Sequence, residues 1–110
     1  MSLEQKGLIG QIESIINIDS FYKNSSELDR LMYLLMTLKD MWCTIFYPGK
    51  RILPTIDNPM NYKNMEHFNE RFFNFYINIG QLHNLNEYSL QVIDDLIVEI
   101  QSMKQYYNKI

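Results

Sequence analysis

Residues 28–45 read LDRLMYLLMTLKDMWCTI, and within them Leu28, Leu31, Leu35, Leu38, Trp42 and Ile45 recur at alternating spacings of three and four. An α-helix turns once in about 3.6 residues, so this rhythm places all six on one side of a helix. The same rhythm returns in Met65, Phe68, Phe72, Phe75, Ile79 and Leu82, and again in Ile93, Leu96, Ile100, Met103, Tyr107 and Ile110. Three such stripes predict three long helices, each burying one face against its neighbours at a shallow crossing angle.

Near the start of the chain, Ser2 followed three residues later by Gln5 has the form of a capping box. Leu8, Ile9, Ile12, Ile15 and Ile16 then share a helical face, so a first helix is expected over Leu3 to Ile16. Residues 17–24 lose that period and read as a connection, with Phe21 and Tyr22 pinning it to the core. Asn24, Ser25 or Ser26 caps the second helix, and Tyr47-Pro48-Gly49 ends it near Phe46. Residues 47–62 hold Pro48, Pro54 and Pro59, with Ile52, Leu53, Ile56 and Met60 scattered among them. They predict a long connection, either a crossover over the bundle or a functional loop. The third helix is expected from an Asn61 or Asn64 cap to about Ile79, with Gly80 loosening or ending it. The fourth is expected after Asn84 or Asn86, with Glu87 in its first turn, and should run to about Tyr107.

These elements predict an all-α fold in a single domain over residues 1–110: a four-helix bundle with one long connection between the second and third helices. The alternative is a three-helix core with the first helix laid across it. Met32, Leu34, Met36 and Met41 widen the apolar arc of the second helix to about 220°, and Phe73, Tyr76 and Ile77 do the same in the third, also about 220°. Both helices therefore call for cover on more than one side. The first helix with the long loop would supply it, or a second copy or partner would.

The formal charge of −3 is mild, and Lys50-Arg51 is the one adjacent basic pair, so no nucleic acid is expected as a partner. No apolar run approaches the roughly 18 residues that span a bilayer, and no leader opens the chain, so a cytoplasmic protein without membrane contact is expected. Cys43 stands alone inside an apolar helix, which suits a small core residue in a reducing compartment.

Chemistry is sparsely signalled. Glu66, His67 and Glu70 lie within two turns, yet neither His67 nor His83 has a glutamate three positions earlier, as a di-iron bundle requires. Cys43 has no base at a motif spacing, the four glycines are scattered, and no zinc spacing occurs. Neither a catalytic residue, a metal nor a cofactor is expected, and the chain does not read as an enzyme.

What remains is recognition of a protein. Tyr33, Tyr47, Tyr62, Tyr88 and Tyr106 are candidate exposed anchors, since tyrosine offers apolar area with a polar tip. Acidic Glu87, Asp94, Asp95 and Glu99 on the fourth helix could imitate phosphate charge, with specificity from Tyr47, Lys50 and Arg51 in the loop. The partner-binding set is thus Tyr47, Lys50, Arg51, Tyr62, Glu87, Asp94, Asp95 and Glu99. In size, composition and helix content the whole chain resembles small α-helical toxin-immunity proteins of bacteria, those of bacteriocins and contact-dependent toxins. The resemblance lies in no motif, so no family residue is carried over. It implies a non-catalytic inhibitor that binds a toxin such as a nuclease domain. The other readings are a dimeric helical adaptor or chaperone, and a phage or plasmid regulator of a host protein.

Overall fold

The structure, a computed structural model, describes residues 2–50 and 59–108. Among them are four α-helices, α1 Leu3–Ile16, α2 Ser25–Phe46, α3 Met65–Gln81 and α4 Leu90–Tyr107, with 3₁₀ turns at Phe21–Lys23 and Leu82–Asn84. The long connection lies between α2 and α3, as expected, and its residues 51–58, with Ile52, Leu53, Pro54 and Ile56, lie outside the described residues.

The helix starts follow from local hydrogen bonding. At α1, Ser2 Oγ accepts from the Gln5 amide at 3.1 Å while Gln5 Oε1 accepts from the Ser2 amide at 3.0 Å, so two orphan donors are satisfied reciprocally. Asn24 Oδ1 caps α2 by accepting from the Ser26 and Glu27 amides, and Asn64 Oδ1 caps α3 through the His67 amide. Gly49 adopts φ +77°, a left-handed conformation that glycine enters at little cost, and so completes the turn after α2.

Two boundaries differ from the sequence expectation. Helix α3 runs through Gly80 to Gln81 before tightening into the 3₁₀ turn, because the glycine keeps helical dihedrals inside a continuous ladder. Helix α4 starts only at Leu90, so Glu87 sits before the helix rather than in its first turn. The cause is a self-contained turn: Asn86 Oδ1 accepts from the Tyr88 amide, and the Ser89 hydroxyl accepts from the Asn86 amide, both at 2.8 Å.

Helices α2 and α4 form the centre, with α1 packed on α2 and α3 on α4. Contacts set their directions. Lys104 pairs with Asp29 and Lys39 with Asp94, while Trp42 reaches Asn86, so α2 and α4 run antiparallel. Arg71 pairs with Glu99 and Met65 lies against Tyr107, so α3 and α4 are antiparallel too. One hydrophobic cluster joins the elements and includes Ile12, Leu28, Leu31, Leu35, Leu38, Trp42, Phe75, Ile93, Leu96 and Ile100. Fully burying such side chains stabilises the fold by about 1.5–3 kcal/mol each relative to exposure.

The connection 17–24 is fixed as its aromatics suggested. Phe21 is buried and stacks on Phe72, while Tyr22 meets Phe68, Phe72 and Tyr107 edge-on or tilted, at centroid separations of 5.0–5.3 Å. These rings hold α3 onto the rest of the bundle.

The wide apolar arcs resolve differently. In α2, Leu34 is buried and Met32 and Met41 are half-buried, so its flanks are covered, with Met36 and the stripe's last member Ile45 exposed. In α3 the extra residues stay outside: Phe73 is 67% exposed, Ile77 47% and Tyr76 41%. The first helix packs mainly against α2 and meets these residues at its end, where the Tyr76 hydroxyl donates to the Ile16 carbonyl at 3.0 Å.

Candidate functional site

A cavity of about 450 Å³ opens where the end of α2 faces the start of α4. It is lined by Trp42, Tyr47, Lys50, Glu87, Tyr88, Leu90, Gln91 and Asp94. Trp42 is fully buried, so its indole N–H needs an acceptor, and it finds the Asn86 carbonyl at 2.6 Å. Tyr47 packs its ring on Trp42 at 5.3 Å, and its hydroxyl donates to the Glu87 carbonyl at 3.4 Å. Two aromatic side chains of the α2 end therefore clamp the backbone of the turn before α4. That clamp presents Tyr88 and Glu87 at the rim, with Tyr88 81% exposed.

Charge in the cleft is organised. Lys39 and Asp94 form an ion pair at 2.8 Å with side-chain exposures of 9% and 24%. Lys50 Nζ lies over the Tyr47 ring, 5.7 Å from its centroid, within the range of a cation–π contact. The half-buried Cys43 thiol on α2 has its pKa pushed up by burial, more than neighbouring Lys39 pulls it down, so it is held as a thiol.

Four of the eight residues singled out from sequence, Tyr47, Lys50, Glu87 and Asp94, thus line one cleft. Asp95 is exposed and borders a different, polar cavity of about 390 Å³ between α3 and α4, with Arg71, Asn74 and Asn78. Arg51 lies outside the described residues.

Tyr62 and Glu99 require correction as surface residues. Tyr62 is 5% exposed and Glu99 4% exposed. The Tyr62 hydroxyl donates to Glu99 Oε1 at 2.8 Å, and Arg71 Nη2 donates to Glu99 Oε2 at 2.9 Å. This network fastens the strand of chain before α3 onto α4, helped by the Met60 amide bonding the Ser102 hydroxyl. Burial, followed by the Glu99 carboxylate, raises the Tyr62 pKa well above the tyrosine range, so the phenol stays neutral. Tyr106 is half-buried in the aromatic cluster, while Tyr33 is 68% exposed on α2.

Sequence reading missed Trp42 as a cleft residue because it completes a core stripe. Its polar N–H, five residues before Tyr47, was the available signal, since a buried indole donor must meet backbone or side-chain oxygen. Leu90 and Gln91 carried no signal.

Among the described residues, no group of three His, Cys, Asp or Glu side chains is placed to hold a metal ion, and no helix is long and apolar enough to cross a membrane. His67 Nδ1 accepts from the Lys63 amide and so serves the start of α3. No protein-family model matches the sequence, and neither a curated protein nor a solved structure matches it.

Proposed function

We propose that the chain is a non-catalytic protein-binding inhibitor of the immunity type, neutralising a toxin such as a nuclease domain by stoichiometric capture. The observation that carries this reading is the cleft between α2 and α4, where an exposed tyrosine, a cation resting on an aromatic ring and two carboxylates converge on a clamped turn. Interfaces draw most of their binding energy from a few aromatic anchors inside a polar rim, which is the composition found here. Of the acidic residues Glu87, Asp94, Asp95 and Glu99, Glu87 and Asp95 are exposed to a basic partner and Asp94 is partly exposed, while Glu99 is engaged inside the bundle.

Affinity capture from the native lysate, followed by titration calorimetry with the recovered protein, tests this. One partner binding at a single molar ratio, its activity falling in proportion, is the expected result. Recovery of no protein under conditions that preserve weak complexes would overturn it.

A second reading, a dimeric adaptor, is favoured by one observation, the exposed Phe73, Tyr76 and Ile77 on α3. Sedimentation at micromolar concentration separates the two. A strict monomer that captures no amphipathic helical peptide removes the adaptor.

A further inference from the structure

We infer that the cleft between α2 and α4 receives an arginine side chain of the protein partner, and that Lys50 occupies part of that arginine's place in the unbound chain. The inference rests on the partner-binding reading and names the chemistry the partner must present.

Lys50 Nζ lies over the Tyr47 ring at 5.7 Å, so the unbound chain places a cation on this aromatic face. Aromatic faces attract cations through their negative quadrupole, and a planar guanidinium stacks on them better than a compact ammonium does. Tyr88, 81% exposed, supplies a second ring at the mouth. Glu87 supplies a rim carboxylate that a guanidinium can grip through two parallel N–H bonds.

The cations near the cleft do not compete as anion receptors. Lys39 is held by Asp94 at 2.8 Å, and Lys50 is laid on Tyr47. Lys50 is itself exposed and follows Gly49, whose left-handed φ of +77° forms a surface turn, so it can swing aside without disturbing the core. The cavity of about 450 Å³ lies within the roughly 300–1,000 Å³ typical of ligand clefts. It can admit a long side chain together with adjoining backbone.

The chain's single tryptophan, Trp42, lies in this cleft, which gives a local reporter. The test is titration of the full chain with N-acetylarginine methylamide, followed by Trp42 fluorescence and by the indole N–H resonance. The neutral isostere N-acetylcitrulline methylamide is the control. Saturable binding of the arginine probe, weaker for citrulline by about tenfold, is expected from loss of the cation–π and ionic contributions. Lys50→Met should tighten binding several-fold by removing the competing positive charge, and Glu87→Gln should weaken it several-fold. Both positions are exposed, so neither change threatens folding.

No saturable response, an equal response to citrulline, or a Lys50→Met variant that binds more weakly would overturn the inference. The partner reading fails separately. A captured protein held equally well by wild type and by Glu87→Gln and Tyr88→Ala sinks the arginine cleft and leaves the inhibitor. Arginine binding without any captured protein does the reverse.

Discussion

Tyr62 shows how a single residue changes meaning once its surroundings are known. As a tyrosine near a proline-rich connection it reads as a surface anchor, yet its hydroxyl is committed to Glu99 inside the bundle. The Glu99 carboxylate in turn joins Arg71, so one buried acceptor ties α3, α4 and the segment before α3 together. Replacing Tyr62 with Phe removes one hydrogen bond to a buried charge and should cost about 1–2 kcal/mol in urea unfolding at pH 7. The pH dependence has a definite sign. The Tyr62 pKa is raised in the folded chain, so its contribution is complete below the ordinary tyrosine range and is lost as pH climbs beyond it. Above about pH 10 the unfolded phenol ionises while the folded one does not, and stability should fall by about 1.4 kcal/mol per pH unit from this group. Unfolding measured between neutral pH and pH 11 should show a shallower alkaline loss in Tyr62→Phe than in the wild type.

At the scale of elements, two glycines make opposite predictions. Gly80 lies in the last turn of α3, and a methyl group there would meet nothing within 4 Å. Gly80→Ala should therefore stabilise the chain by about 0.5–1 kcal/mol, since the substitution removes freedom from the unfolded state without strain. Gly49 also has open space around it, but its φ of +77° lies where an L side chain is strained. Gly49→Ala should cost about 1–2 kcal/mol and loosen the turn that carries Lys50. Thermal unfolding of the two variants against wild type checks both signs. Helix α4 makes a related point. Asn86 was an expected cap, but its side chain is spent on the Tyr88 amide, and the hydroxyl of Ser89, which precedes the helix, is spent on the Asn86 amide. That turn is what brings Glu87 and Tyr88 to the cleft.

At the scale of the molecule, the arrangement of α1 on α2 and α3 on α4 leaves one flank of α3 bare. Phe73 and Ile77 stand one turn apart on that flank, away from the α2–α4 cleft, with Ile77 at the edge of the polar cavity between α3 and α4. Changing both to Ser should cost only about 1–2 kcal/mol, because with exposures of 67% and 47% much of their apolar area is already in water in the folded chain. If sedimentation of the double variant matches that of wild type, the flank is not a self-association surface. Electrostatics gives another whole-molecule expectation under the inhibitor reading. Asp95 is exposed, bonded to the Gln91 side chain and a member of neither the Lys39–Asp94 nor the Arg71–Glu99 ion pair, so Asp95→Lys breaks neither pair, although it sets a cation near Arg71. It should slow association with a basic partner and flatten the dependence of that rate on salt, which stopped-flow mixing at several ionic strengths would measure.

The periodic stripes by themselves determined the helices. Apolar residues at spacings of three and four commit a segment to one buried face whatever it packs against, and the caps at Ser2, Asn24 and Asn64 are local hydrogen-bonding choices. The all-α bundle and its long connection were therefore legible. Burial of individual polar groups was not, because it depends on which helix lies opposite. Glu99 and Asp95 differ by four positions on α4, yet one meets Arg71 and Tyr62 in the interior and the other faces solvent. The cleft was half legible. Tyr47, Lys50, Glu87 and Asp94 could be picked as recognition residues, but residues some forty positions apart meet only through the antiparallel pairing of α2 with α4. That pairing is a tertiary choice, made by the shared core of the two helices and sealed by a buried indole that required a carbonyl.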